Sequence, residues 1–207
     1  MSYSRSSPSP NYQRMIRLYQ ELHSKGEKIL GMLPEETYPG IFALRHATHI
    51  KELINRSGAR TVLDYGSGKG YQYDIPNVTI PGAGEWDSLI DYWDIDEVRC
   101  FDPCYEPFSK LPENKFDGVI STDVLEHCME EDIPWIVTEM FSLANLFVFA
   151  TVACYPAKTT LPNGENAHST VRPIEWWKKV FADAADNYPR VCWKLLVEHP
   201  KKTDQII

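Results

Sequence analysis

Residues 62–70 read Val-Leu-Asp-Tyr-Gly-Ser-Gly-Lys-Gly, and this stretch decides the fold prediction. The run over residues 59–65 is short, apolar and β-branched, as in a buried strand. Gly66, Gly68 and Gly70 follow it directly. Because glycine has no Cβ, such a turn indicates that another group comes very close to the backbone. A strand that ends in a glycine-rich turn is typical of α/β proteins that bind a ligand at the edge of a sheet.

The spacing of these glycines argues against a phosphate ligand. The dinucleotide pattern G-x-G-x-x-G would need glycine where Tyr71 stands, and Lys69 has neither the spacing nor the following hydroxyl of a phosphate loop. Asp64 ends the strand. A carboxylate there would repel a phosphate but would favour an ammonium group or a water shell. These residues therefore favour a nucleoside without a phosphate.

Further apolar runs alternate with amphipathic helical patterns along the chain. Strands that are apolar on both faces and separated by helices argue for a parallel sheet covered by helices on both sides. We therefore predict an α/β fold with a doubly wound, mostly parallel sheet. The predicted strands are residues 59–65, 98–103, 116–122, 145–154 and 190–199, with 203–207 as a further candidate; the predicted helices are 12–30, 41–57, 130–144 and 172–187.

The chain divides into three predicted parts. Residues 1–10 are polar and proline-rich, which predicts a disordered or loosely attached tail. Residues 11–57 hold the first two helices and form a predicted N-terminal helical arm, and residues 58–207 form the ligand-binding domain. Within that domain, residues 71–97 show no regular pattern beyond a short helix near 86–93. We interpret this segment either as a wall of the pocket or as a solvated loop.

Composition and charge restrict the class of protein. The chain has 207 residues, which suits one domain, and a net charge of −8, which disfavours tight non-specific binding of nucleic acid. Its five cysteines include no Cys-x-x-Cys pair, which indicates reduced thiols in a cytoplasmic protein. The longest apolar run, residues 144–154, is far shorter than the roughly 20 residues of a membrane helix. We expect neither a membrane nor a nucleic acid among its partners.

A second acid ends the next predicted strand. Asp102 can accept hydrogen bonds from both hydroxyls of a ribose, a role usually given to an acid about 20 residues beyond the glycine turn. Here the separation from Gly70 is longer (102 − 70 = 32), because the irregular segment intervenes. The alternative is that Asp102 is a turn residue before Pro103.

Two further motifs suggest the chemistry. Asp123, Glu126 and His127 form D-x-x-E-H at a predicted strand-to-helix junction. Two carboxylates and an imidazole can bind Mg²⁺ or Mn²⁺, and such an ion would lower the pKa of a substrate hydroxyl. The alternative is that Glu126 and His127 brace the helix. His168 follows a polar loop after a predicted strand. We predict that it is a general base that faces the substrate. The alternative is a loop histidine that is hydrogen-bonded to the backbone.

Together these motifs resemble the class I S-adenosylmethionine-dependent methyltransferases. "VLDYGSGKG" is similar to their first motif, "VRCFDP" to their ribose-binding strand end, and "FDGVISTDVLEH" to their fourth-strand motif. Residues 153–177 resemble a set of bacterial methyltransferases whose acceptor is uncharacterised. The resemblance covers roughly residues 40–200. It implies that residues 58–207 form a Rossmann-like methyltransferase domain.

The resemblance also implies a cofactor, S-adenosylmethionine, and the residues that hold it. The glycine turn would pack against the methionine part, Asp64 would reach its amino group directly or through water, and Asp102 would hold the ribose. The residues after the fourth strand would flank the adenine or the sulfonium. The implied cofactor contacts are Asp64, Gly66, Ser67, Gly68, Gly70, Asp102, Pro103, Thr122, Asp123 and Val124.

The D-x-x-E-H motif resembles the E-x-x-E-H of metal-dependent O-methyltransferases, both of ubiquinone biosynthesis and of small-RNA 3′ ends. A further histidine completes the site in the RNA enzymes, and His168 is the matching candidate. This resemblance implies Asp123, Glu126, His127 and His168 as metal ligands, with aspartate departing from the pattern at the first position.

We predict O-methylation of a small polar metabolite or sugar, with His168 and His127 as catalytic residues. The alternatives are a metal-dependent ribose or RNA 3′-end 2′-O-methyltransferase and a non-catalytic cofactor-binding protein.

Overall fold

The computed structural model describes residues 3–28, 30–199 and 202–206. The longer elements follow the sequence pattern, and short 3₁₀ turns connect several of them. The helices are α1 (Pro10–Lys25), α2 (Ala47–Ser57), α3 (Leu89–Trp93), α4 (Ile133–Leu143) and α5 (Ile174–Ala185); the strands are β1 (Thr61–Tyr65), β2 (Val78–Ile80), β3 (Gly84–Trp86), β4 (Glu97–Phe101), β5 (Phe116–Thr122), β6 (Ala144–Ala153), β7 (Cys192–His199) and β8 (Lys202–Ile206).

Six of the strands form one sheet in the order β4-β1-β5-β6-β7-β8. The first five run parallel, and β8 pairs antiparallel with β7. This confirms the predicted α/β class with a mostly parallel sheet, and the architecture is compatible with a Rossmann-like fold. The chain passes from β1 to β4 on one side and then to β5 on the other. The sheet therefore has a topological switch point between β1 and β5, where α/β proteins usually bind their ligands.

Helices cover both faces of this sheet because its central strands are apolar on both sides. One core lies beneath α4 and α5 and includes the fully buried Trp177 and Phe181. The other lies beneath α2 and α3 and includes the fully buried Ile50 and Trp93. Burying each such side chain contributes about 1.5–3 kcal/mol. No helix among the described residues is long and apolar enough to cross a membrane.

The first helix is shorter than predicted and begins earlier. Ser9 caps its N-terminus by accepting a hydrogen bond from the Tyr12 N–H, and Gly26 ends it with a φ of +77°. A left-handed residue cannot continue an α-helix, so the apolar pattern beyond Lys25 belongs to a loop. Part of that predicted extension, Ile29, lies outside the described residues.

Residues 3–9 are attached to the body of the protein, in contrast to the predicted loose tail. The Arg5 guanidinium pairs with Glu139 at 2.5 Å and donates to the Tyr65 hydroxyl at 2.8 Å. The Ser9 hydroxyl donates to the buried Asp132 carboxylate at 2.5 Å. The composition suggested disorder, but Arg5 and Ser9 find partners 60, 134 and 123 residues further along the chain. Met1 and Ser2 lie outside the described residues.

The irregular segment 71–97 has a structural role that neither interpretation anticipated. The β2–β3 hairpin and α3 lie over the face of the sheet that α2 covers. Trp93 is fully buried there, and its indole N–H donates to the Ala47 carbonyl at 3.0 Å. Only the beginning of the segment, at Gln72, borders the pocket described below.

Candidate functional site

A pocket with about 1000 Å³ of empty space, part of it open to solvent, lies at the switch point of the sheet. Its floor is formed by the ends of β1, β4 and β5, and its cover by α1. Ten of the residues predicted as site residues border it: Asp64, Gly66, Ser67, Gly68, Asp102, Pro103, Thr122, Asp123, Val124 and His127. The place, at the carboxyl ends of the strands beside the switch point, is that of a small-molecule site.

The backbone N–H groups of the glycine turn are all used within the protein. Those of Gly66 and Ser67 donate to the Phe101 carbonyl, and that of Gly68 donates to Asp102 Oδ2. The N–H groups of residues 69–72 donate to the carbonyl oxygens of Tyr38, Ser67, Pro39 and Gly40 in turn. Phosphate-binding turns depend on N–H groups that point at the ligand. This turn has no free N–H group, which agrees with the argument from the sequence against a phosphate ligand.

The close approach that the glycines require comes from the chain itself. A Cβ at Gly68 would lie 2.4 Å from the Tyr38 carbonyl oxygen, and one at Gly66 would lie 2.4 Å from the Val124 side chain. The reverse contact is as tight, since a Cβ at Gly40 would lie 2.1 Å from the Ser67 carbonyl oxygen. Residues 38–40 therefore pack directly on the turn.

One predicted cofactor contact does not border the pocket. Gly70 lies against Cys100, whose Sγ would be 2.9 Å from a Cβ at this position. Its N–H donates to the Ser67 carbonyl within the turn.

Asp64 is a buried carboxyl group that faces the pocket. Its Oδ2 accepts hydrogen bonds from Gln72 Nε2 at 3.0 Å and from the Tyr73 hydroxyl at 2.8 Å. Burial, and to a smaller extent the nearby Asp102, raise the pKa of Asp64 to about 7, although the two hydrogen bonds act in the opposite direction. A cationic group in the pocket would stabilise the ionised form.

Gln72 places a second acceptor beside this carboxyl group. Its Oε1 is buried and has no hydrogen-bond partner among the described residues. An unpartnered buried carbonyl oxygen costs about 1–3 kcal/mol. Together, Asp64 and Gln72 present acceptors to a ligand that donates, such as an ammonium group. Sequence reasoning missed Gln72 because no motif marks it.

Asp102 is a turn residue, as in one of the two alternatives that the sequence left open, and it also borders the pocket. Its Oδ1 accepts from the Cys104 N–H at 2.8 Å, which forms the expected turn around Pro103, and its Oδ2 accepts from the Gly68 N–H at 2.9 Å. Burial raises its pKa, whereas these N–H groups act to lower it. A carboxylate accepts up to about four hydrogen bonds, so the same group retains capacity for ribose hydroxyls.

Asp123, His127 and His168 come together at the edge of the pocket. One ligand atom from each lies within 4.8 Å of the other two, and the two imidazole rings are 4.8 Å apart. Ligands about 2.1 Å from one ion lie about 3.4 Å from one another in tetrahedral geometry. Ligand atoms separated by as much as 4.8 Å would therefore need to close by about 1.4 Å around an ion. The backbone presents Asp123 from a left-handed turn (φ +60°), with its N–H donated to the Thr151 hydroxyl.

Both imidazoles use Nδ1 to hold backbone carbonyls. His168 Nδ1 lies 2.5 Å from the Tyr155 carbonyl oxygen, and His127 Nδ1 lies 3.1 Å from that of Ala167. A carbonyl only accepts, so each Nδ1 carries a proton, and in a neutral ring the lone pair is then left on Nε2. Metal-binding histidines have this second hydrogen bond almost without exception. Burial, followed by the nearby His168, lowers the pKa of His127 to about 3, so its ring is neutral.

Glu126 does not join this group as the motif predicted. Its Oε1 accepts from the Ala153 N–H at 2.6 Å, which fixes the carboxyl group against β6. Its Oε2 is fully buried and has no hydrogen-bond partner among the described residues. Burial, and then the charge of Asp123, raise its pKa well above the ordinary value. Glu126 therefore stands behind Asp123 as a second, buried acid.

The cover of the pocket is the part that sequence reasoning did not locate. Met15, Ile16, Tyr19 and His23 of α1 all border the pocket. The apolar stripe of this helix was visible in the sequence, but a stripe does not reveal which surface it will cover.

Comparisons with family models, curated proteins and solved structures give no match. The fold and the pocket thus define an α/β protein with a candidate ligand site at its switch point.

Proposed function

We propose that the protein binds S-adenosylmethionine and transfers its methyl group to an oxygen of a small polar acceptor. The observation that carries this proposal is the electrostatic character of the pocket. Two buried acids, Asp64 and Asp102, face it beside the unpartnered acceptor of Gln72, and the glycine turn offers no free N–H group. Such a pocket favours a cationic nucleoside without phosphates.

The residues fit the parts of this cofactor. Asp64 and Gln72 would accept from its amino group, and Asp102 would accept from its ribose hydroxyls. Apolar side chains such as Met15, Ile16 and Ile136 border the same pocket and suit the adenine ring. The cofactor supplies a methyl group on a positively charged sulfur, which makes the methyl electrophilic.

The protein's own task is to orient the acceptor and to remove its proton. His127 and His168 suit that task, because both lie in one cluster with Asp123 and use Nδ1 to contact a backbone carbonyl; of the three, Asp123 and His127 border the pocket. An acceptor hydroxyl at this position would give its proton to Nε2 of one of these histidines.

We further propose that Asp123, His127 and His168 bind a divalent cation. The grouping of the three side chains and the carbonyl partners of both Nδ1 atoms support this. Imidazole ligands favour Mn²⁺ over Mg²⁺, which prefers oxygen. A bound cation would occupy the histidine lone pairs, so it would replace the histidines as the group that promotes loss of the acceptor proton, by lowering the pKa of a coordinated hydroxyl.

Calorimetric titration with S-adenosylhomocysteine tests the cofactor assignment. We expect micromolar binding to EDTA-treated protein and at least about tenfold weaker binding to the Asp64→Asn variant, because one charge-assisted hydrogen bond contributes about 1.5–3 kcal/mol. Asp74→Asn is the matched control, since Asp74 is exposed and does not border the pocket. No binding by the wild-type protein would refute the cofactor assignment.

Titration with Mn²⁺ and Mg²⁺ tests the cation site separately. We expect Mn²⁺ to bind more tightly than Mg²⁺, and His168→Ala to lose Mn²⁺ binding while it keeps S-adenosylhomocysteine binding. Incubation with methyl-labelled cofactor and a panel of polyols, sugars and hydroxy acids then tests transfer. Cofactor binding without transfer to any acceptor would support the non-catalytic alternative.

A further inference from the structure

Tyr19 of α1 contacts the Nδ1 atom of His127. Its hydroxyl lies 2.9 Å from His127 Nδ1 and donates to the Ala167 carbonyl oxygen at 2.7 Å. The two rings meet edge to face at 5.6 Å, and Tyr19 is buried. These three groups come from α1, from the turn after β5 and from the loop after β6.

The protons in this triangle can be assigned from its geometry. The Ala167 carbonyl faces both the Tyr19 hydroxyl and His127 Nδ1, and it can only accept. If the tyrosine proton pointed to Nδ1, the carbonyl oxygen would face two lone pairs at 2.7 and 3.1 Å. The favourable arrangement has Tyr19 donating to Ala167 and His127 Nδ1–H donating to the tyrosine oxygen, the carbonyl oxygen or both. Nε2 is then left unprotonated.

Packing of the Tyr19 ring does not account for its hydroxyl group. A phenylalanine would fill the same volume and pack against the same rings. Burial of a hydroxyl costs free energy unless it is hydrogen-bonded, and this one is bonded to the histidine and to the loop that carries His168. The same loop is joined to α1 at the surface by an ion pair between Arg14 and Glu165 at 2.8 Å.

We propose that Tyr19 is a positioning residue that holds His127 in its Nδ1–H form, so that docking of α1 completes the Asp123–His127–His168 cluster. This inference rests on the proposed function only in what the cluster binds. With α1 in place, Nδ1 of His127 is held by Tyr19 and Ala167, and the lone pair is left on Nε2. Without the tyrosine hydroxyl, the 3.1 Å contact with Ala167 remains as the only bond that selects this tautomer among the described residues.

Nitrogen-15 NMR of the six histidines tests the tautomer directly. His127 is assigned from the signals that disappear in His127→Gln. In the wild-type protein near neutral pH we expect a protonated Nδ1 and an unprotonated Nε2. In Tyr19→Phe we expect a mixture of tautomers and an affinity for Mn²⁺ about tenfold lower, as for other partners of metal-binding histidines, with unchanged S-adenosylhomocysteine affinity.

Arg14→Gln is the control, because it removes the surface link between α1 and the loop but does not touch His127. It should leave the tautomer of His127 as in the wild type. A pure Nδ1–H form in Tyr19→Phe, with Mn²⁺ affinity within about twofold of wild type, would overturn the proposal. Failure of the wild-type protein to bind S-adenosylhomocysteine would instead refute the proposed function, and the tautomer would still be measured.

Discussion

Asp64 shares the pocket with a second buried acid, and neither has an ion-pair partner within 4 Å among the described residues. Such a pair destabilises the folded protein at neutral pH, because burial and mutual repulsion both oppose ionisation. Proteins retain arrangements of this kind mainly where a ligand makes use of them. The destabilisation of the folded protein by these two acids therefore supports a role for them in ligand binding.

The Asp64→Asn variant should be more stable than the wild type at high pH. Asparagine can still accept hydrogen bonds from Gln72 and Tyr73, but it carries no charge. Since burial raises the pKa of Asp64 from 3.8 to about 7, the folded state loses stability as the pH rises from about 4 to 7. An asparagine at position 64 cannot ionise, so the variant does not lose this stability. We expect the gain in the free energy of unfolding to be about 2–3 kcal/mol larger at pH 8 than at pH 5.

Urea unfolding at the two pH values measures this difference. Asp74→Asn, at an exposed position, should show no such dependence. An equal effect of Asp64→Asn at pH 5 and pH 8 would mean that Asp64 ionises normally in the folded protein.

The glycine turn and residues 38–40 act as one element at the next scale. Three hydrogen bonds and two close packing contacts described above join them. Lys69 extends these contacts to the preceding residue and to α1: its buried ammonium group donates to the Thr37 carbonyl and contacts His23 Nδ1 at 3.1 Å. Because α1 and residues 38–40 come from the predicted arm, that arm forms one wall of the pocket.

Gly68→Ala should destabilise the protein much more than Gly82→Ala. Both glycines have positive φ, so both substitutions carry the backbone cost of about 1–2 kcal/mol. A Cβ at Gly68 would in addition lie 2.4 Å from the Tyr38 carbonyl, whereas one at Gly82 would meet no described atom within 4 Å. We expect at least about 2 kcal/mol of extra destabilisation in urea unfolding. Equal effects would show that residues 38–40 move away at little cost.

Most elements could be predicted because their signals are local. The strands over residues 59–65 and 116–122 are apolar runs bounded by turn residues, and both lie within about two residues of the prediction. The end of α1 was wrong because the apolar pattern outlasts the helix at Gly26. The β2–β3 hairpin was missed because its strands are only three residues long and β3 is exposed.

The candidate site could be predicted only where residues lie at strand ends. Asp64, Asp102 and Asp123 each follow or end a strand, and parallel strands bring their carboxyl ends together. Gln72 and Tyr19 carry no such signal, because their positions depend on how the irregular segment and α1 pack on the sheet. Glu126 was placed in the cluster by its motif, but the Ala153 N–H holds one of its oxygens elsewhere.

For the whole molecule, the main feature is that its N-terminal part closes the site formed by the rest. Ser9 begins α1 and joins it to the buried Asp132 before α4. Arg5 reaches Glu139 on α4 and lies 5.3 Å from the Trp135 ring. These contacts hold α1, which covers the pocket, at its N-terminal end and not at Tyr19.

Ser9→Ala should loosen this cover. The substitution removes the helix cap and a hydrogen bond to a buried carboxylate, which together should cost about 1–3 kcal/mol in urea unfolding. Amide hydrogen exchange should become faster along α1. Ser24→Ala, near the exposed end of the same helix, should change stability by no more than about 0.5 kcal/mol. Unchanged exchange in Ser9→Ala would show that other contacts hold α1.

The contact between Tyr19 and Ala167 spans 148 residues of the chain, and this has a consequence for synthesis on the ribosome. At about 5–20 residues per second, roughly 7–30 seconds pass between the addition of one and of the other. During that time the strands and the loop that α1 contacts are still being made, and its apolar face stays exposed to water or to a chaperone. The segment that is made first therefore docks among the last, and the nascent chain must keep it from associating with other molecules until its own partners emerge.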